Sequence, residues 1–149
     1  MIEIRRHSFT KKGPGRGAGS HLMGFAVDAV GDVVGDVDWD GFLAEVGHHE
    51  RWSWEHPFAA FAAIVRHGGA AARVGEAVRA AWLDASRRAG PDGAALVVSH
   101  GRVIETGLVT CLPDADHHSW GAAFAHCEGV RLRVGRGRFD APELLRAAV

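Results

Sequence analysis

Two histidines in this chain each close a short apolar run. His7 follows Ile2-Glu3-Ile4-Arg5-Arg6, and His100 follows Ala94-Ala95-Leu96-Val97-Val98-Ser99. An imidazole is nucleophilic near neutral pH and can carry a phosphoryl group. Arg6, beside the first histidine, offers the forked donors that suit phosphate oxygens. Gly101 follows the second, where a residue without a side chain lets backbone approach a ligand and a helix start favours an anion. Taken singly, His7 reads slightly better as part of a basic surface edge. His100 reads equally well as a buried histidine bonded to a carbonyl. At the carboxyl ends of two neighbouring parallel strands, however, both would open to one mouth, and that pairing predicts a small anion site.

Hydrophobic periodicity names the elements that must hold these residues. Ile2 to Arg6 reads as an opening strand. Thr10 to Ser20 is a basic, glycine-rich loop, Gly24 to Val30 a second strand, and Gly31 to Asp40 an acidic loop. Phe42 to Glu55 has a mixed pattern that favours no element. Pro57 suits a first helical turn, with Phe58, Phe61, Ala62 and Val65 on one face and Gly68-Gly69 as the stop. Ala71 to Ala89 is the clearest helix, with Val74, Val78, Trp82 and Ala85 as its apolar stripe. After the Pro91-Asp92-Gly93 turn, Ala94 to Ser99 reads as a buried strand and Gly101 to Leu112 as a helix. Pro113-Asp114 opens a short helix or turn carrying His117 and His118. Val130 to Val134 with Arg138-Phe139 suggests a closing hairpin, and Ala141 to Ala148 a last short helix. The alternation predicts one α/β domain over residues 1–149: a layered open sheet, mostly parallel, with helices on both faces.

The bulk numbers narrow the classes. At 149 residues the chain can bury one ordinary core. Its 47% apolar and 23% charged residues are those of a globular protein, and a net charge of −1 gives no support for a nucleic-acid partner. No apolar stretch is long enough for a membrane span, and the amino end lacks a signal-peptide pattern. Cys111 and Cys127 lack metal-ligand spacing and are too few for a disulfide framework, so they read as reduced thiols in a cytoplasmic protein. His48-His49-Glu50 and His117-His118 are poor metal candidates, because adjacent histidines diverge on regular elements. No metal and no cofactor are expected. Gly15 to Ser20 misses the dinucleotide-binding spacing, since position 20 is serine. The five tryptophans read as core and rim, Trp82 most clearly.

The two histidine motifs together resemble the histidine phosphatase superfamily (phosphoglycerate mutase-like). Arg6-His7-Ser8-Phe9-Thr10 is similar to its Arg-His-Gly-Glu-Thr signature, and Val97-Val98-Ser99-His100-Gly101 with Ile104-Glu105 is similar to its second histidine motif. Cys111 to His117 and Glu128 to Leu132 extend the likeness less diagnostically. The resemblance implies a phosphatase acting on a small phosphorylated substrate, without nucleic-acid or membrane partners. His7 would become phosphohistidine, and Arg6 and His100 would stabilise the transferring phosphoryl group. Thr10 and Gly101 would lie against the phosphate.

The chain also departs from the family pattern. Ser20-His21-Leu22 runs almost directly into Met23 to Asp28. A helix–strand unit of about 30 residues is missing there, and no Ser-Pro-x-x-Arg string supplies a second arginine. Arg16, Arg51 and Arg66 are the available substitutes. Asp32, Asp36, Glu45, Glu50 and Glu55 all fall where a general acid is expected. The departure supports a competing reading: a catalytically impaired relative that binds a phosphorylated ligand or a protein partner. A third is truncation, leaving a sheet edge that a homodimer or aggregate would bury.

Overall fold

A computed structural model describes residues 1–6, 36–47 and 54–147. The opening strand, β1, is Ile2–Arg6. Its alternation divides the sheet into two faces: Ile2 and Ile4 are fully buried, whereas Glu3 and Arg5 lie on the other side. β2 is Ala95–Ser99, β3 is Gly129–Gly135 and β4 is Arg138–Leu145, and the four form one sheet in the order β2-β1-β3-β4. β1 and β2 are parallel, whereas β1 with β3 and β3 with β4 are antiparallel. The described sheet is therefore mixed, not mostly parallel. The expected strand Gly24–Val30 lies outside the described residues.

Among the described residues, four helices lie between these strands: α1 (Trp39–Val46), α2 (Pro57–Arg66), α3 (Ala70–Ala89) and α4 (Gly101–Cys111). A short 3-10 helix, His117–Trp120, follows α4. Phe42, Phe58, Phe61, Val74, Val78, Trp82, Ile104 and Leu108 from these helices share one core with Ile2, Ile4, Val130, Leu132 and Phe139. Burying each such side chain stabilises the fold by roughly 1.5–3 kcal/mol. Among the described residues the helices cover this apolar face. The opposite face carries an ion-pair ladder in which Glu3 meets Arg5 at 2.8 Å and Arg131 at 2.9 Å, and Arg131 meets Glu143 at 2.8 Å. Burial pushes the Glu3 carboxyl up, but hydrogen bonds from the two arginines outweigh it and hold it below its ordinary range.

Neighbouring elements supply the caps. Asp38 accepts the Gly41 N–H at 2.8 Å and starts α1. α3 has no side-chain cap of its own. Glu45 of α1 reaches across instead, and its two oxygens accept the N–H groups of Ala70 and Ala71, each at 2.8 Å. Those two bonds hold the Glu45 carboxyl below its ordinary range. At the junction Gly69 has φ +86°, and a side chain there would collide with the Glu45 carboxylate. Further on, α3 and α4 approach closely at Gly107, where a Cβ would run into Val78 and Trp82.

Two expectations need correction, and one stretch left open is resolved. Among the described residues β2 lies at the edge of the sheet, and Val98 of this strand, expected to be buried, is 42% exposed. Phe42 to Val46, which the sequence pattern left open, is helical because Asp38 caps it and Phe42 and Val46 fall on one buried side. The residues expected as a last helix, from Ala141, continue β4. Leu144 and Leu145 pair with Val130 and Gly129, and cross-strand pairing overrides the weak helical pattern. Pro142 is tolerated there because β4 lies at the edge of the sheet among the described residues and the register shifts between Arg131 and Arg133, opposite Ala141 at φ +46°. β1, β2, β3, α2, α3 and α4 match their expected positions to within two residues, and the short helix or turn expected from Pro113-Asp114 is a turn there followed by the 3-10 helix from His117.

Candidate active site at the strand ends

The parallel pair β1 and β2 runs in register from Ile2 opposite Ala95 to Arg6 opposite Ser99. The two runs that carry the histidine motifs thus end level at one edge of the sheet. His100 is exposed and is the residue from which α4 starts, with extended backbone (φ −94°, ψ 151°) and its carbonyl accepting the Ile104 N–H at 3.0 Å. Gly101, the first residue of α4, is buried. The amino end of an 11-residue helix, with its partial positive charge, therefore meets the sheet where β2 stops. Arg102 ties this end to the end of α1 by donating to the Gly47 carbonyl at 2.7 Å. His7 and Thr10 lie outside the described residues, as do Arg16, Arg51, Asp32, Glu50 and the His48-His49 pair.

Arg6 is held through both its backbone and its guanidinium. Its backbone N–H donates to Glu128 O at 2.8 Å, its carbonyl accepts from Cys127 N at 3.0 Å, and Nη1 donates to Phe124 O at 2.6 Å. Phe124 is the hub of this region. Its N–H donates to Oε1 of Glu105 at 2.9 Å, and the Arg146 guanidinium lies over its ring at 4.8 Å. Arg146 also donates to the carbonyls of Trp120 (2.7 Å) and Ala122 (2.6 Å) and to Glu128 Oε2 (2.9 Å). The segment between the 3-10 helix and β3 is thereby fastened under the carboxyl end of β1.

Two acids in this cluster behave oppositely. Glu105 is fully buried on α4, and burial pushes its carboxyl up to about 8, against the pull of the Phe124 N–H and the charges of Arg6 and Arg146. It is protonated at neutral pH, and among the described residues Oε2 has no hydrogen-bond partner. Glu128 is also buried, and burial raises it, but the N–H groups of Ala125 and Ala147 together with Arg146 outweigh that and hold it ionised. Glu105 belongs to the second histidine motif by resemblance but carries no role there, and an acid between Ile104 and Leu108 on an apolar helix face is a further signal; Arg146 does not stand out in the sequence.

Of the other acids, Asp36 and Glu55 are exposed, and Glu45 is occupied as the α3 cap. Arg66 is exposed at the end of α2, away from its amino end. His117 is buried, donates Nε2–H to Leu112 O at 2.9 Å, and stands edge-on to Trp120. Burial lowers its pKa, so it stays neutral. Cys111 is buried, Cys127 is exposed, and both are free thiols. Among the described residues no group of three His, Cys, Asp or Glu side chains is arranged to hold a metal ion. Nor is any described helix long and apolar enough to cross a membrane. In comparisons with known proteins, no family model, curated protein or solved structure matches the chain.

Proposed function

We propose that this chain is a phosphatase hydrolysing a small phosphorylated substrate through a phosphohistidine on His7. The fold that goes with this reading is a shortened phosphoglycerate mutase-like sheet. The observation that supports it is the in-register parallel pairing that ends the strands leading into both histidine motifs level with one another. Arg6, His100 and the α4 amino end would neutralise charge on the phosphoryl oxygens, and such charge stabilisation dominates catalysis of phosphoryl transfer. Water would then hydrolyse the phosphohistidine. Purified protein should turn over an aryl phosphate, His7→Ala should abolish this, and acid-labile radiolabelled phosphate should appear on His7. His100→Ala should lower kcat by about 10²–10³-fold, the usual effect of losing one oxyanion donor. No turnover and no label would overturn the enzyme reading.

One observation favours a second reading, a relative that binds a phosphorylated ligand without turning it over. Nη1 of Arg6 is held by Phe124 O at 2.6 Å, so part of the guanidinium serves the protein rather than a ligand. Calorimetric binding of phosphate or vanadate by a protein that shows no turnover would select it.

A further inference from the structure

A surface pocket of about 470 Å³ lies between the start of α2 and the segment after the 3-10 helix. His56 and His118 form one wall, their rings edge to face with centroids 4.9 Å apart. Trp54, 37% exposed and edge-on to Phe61, forms another. Both histidines are exposed, so their contact does not fill core. Gly121 and Ala123 line the remaining side.

The peptide planes on that side are oriented by Arg146. It draws the carbonyls of Trp120 and Ala122 toward itself at 2.7 and 2.6 Å. In a trans peptide the N–H of the next residue points the opposite way, and no described peptide bond is cis. The N–H groups of Gly121 and Ala123 therefore point away from the guanidinium, which is not part of the pocket wall. The residues that carry these two backbone donors line the pocket together with the two imidazoles, each of which carries at least one N–H. Glu55 also lines the pocket, with its side chain 91% exposed and 4.0 Å from His56 Nε2, where water screens its charge.

We infer that this pocket is a second oxyanion subsite, separate from the strand-end histidines, which takes a phosphate or carboxylate group. Its connection to them runs through one short segment, because Ala122 and Ala123 lead directly into Phe124, whose carbonyl holds Arg6. Its use as the seat of a second anionic group on the substrate rests on the phosphatase reading, whereas the anion site does not.

Amide spectra of ¹⁵N-labelled full-length protein titrated with inorganic phosphate test the site. The Gly121 and Ala123 resonances should shift and saturate, and should do so equally in His7→Ala. In the His56→Gln/His118→Gln double variant, which alters only exposed side chains, binding at these amides should weaken at least about tenfold, or about 1.4 kcal/mol. Amides that stay still, or that titrate identically in the double variant, would overturn the subsite. The source of the anion is then read from kinetics. If it belongs to the substrate, the double variant should raise KM for 4-carboxyphenyl phosphate about tenfold and leave phenyl phosphate unchanged. Loss of the amide titration with both KM values unchanged would support the site as one for a free anion and overturn its role in the substrate. An inactive protein leaves the titration fully interpretable.

Discussion

Replacing Glu105 by Gln should stabilise the protein at neutral pH and do little at pH 5. The carboxyl lies at about 8 in the folded state, against 4.5 without burial. A raised folded value means that the folded state holds a proton the unfolded state releases. The contribution is complete below 4.5 and is lost as pH rises through 8. Each pH unit inside that window costs the wild type about 1.4 kcal/mol, so between pH 5 and pH 7.5 the loss is about 3 kcal/mol. Gln keeps the acceptor for the Phe124 N–H, has no proton to lose, and places an amide where Oε2 now sits. The other titrating groups are common to both proteins, so their contributions cancel in the difference. Urea unfolding of wild type and Glu105→Gln at pH 5, 6, 7 and 7.5 measures it, with m values checked for equality. The advantage of the variant should grow steadily by about 3 kcal/mol across the series. A difference constant to within about 0.5 kcal/mol would show that Glu105 is ionised in the folded state, and the assignment of burial as the dominant influence would be wrong.

Gly107→Ala places a methyl against Val78 and Trp82. It should cost about 1–3 kcal/mol, seen as a lower thermal midpoint, because overpacking forces α3 and α4 apart. Glu45→Ala removes the acceptor for the Ala70 and Ala71 N–H groups. Chemical denaturation at pH 7 should show a loss of about 1 kcal/mol. Because the Glu45 value is lowered on folding, this difference should shrink as the medium is acidified through the carboxylate range. Arg146→Ala releases the carbonyls of Trp120 and Ala122 and leaves Glu128 without its cation. Amide hydrogen exchange of residues 121–128 should then accelerate far more than that of α3.

Much of the fold was legible wherever a single period dominated. Val74, Val78 and Trp82 mark α3 because 3.6-residue spacing has no competitor there, and Ile2 with Ile4 marks β1 because charged residues alternate with them. The level ending of the two histidine runs was legible for a related reason: both are short apolar strands punctuated at their carboxyl ends. What local pattern could not supply was partners distant in sequence. The part of β4 from Ala141 looks helical from its own residues and is strand because Val130 and Gly129 pair with Leu144 and Leu145. The α3 cap comes from Glu45, 25 residues before the N–H it bonds. The Phe124 hub draws on residues 6, 105 and 146, whose convergence no spacing announces.

That hub decides which substitutions can test the site. Arg6 is the natural target for a phosphoryl-binding role, yet its Nη1 holds the Phe124 carbonyl while Glu105 holds the N–H of the same residue. Removing the guanidinium leaves a carbonyl of a fully buried residue without its donor, which costs roughly 1–3 kcal/mol whether or not any ligand binds. It also takes away a positive charge opposing the burial of Glu105, so the carboxyl should rise further, which changes stability little at neutral pH because the group is already protonated there. Loss of activity in Arg6→Ala would therefore follow from either reading. His100 differs, because it is exposed at the start of α4. A chemical role should show there as a change in kcat larger than any change in folding stability accounts for. A double-mutant cycle pairing His100→Ala with Glu105→Gln then separates the two effects. Independent contributions indicate that the hub only carries the site, whereas coupling in kcat without coupling in stability indicates that it positions the reacting groups.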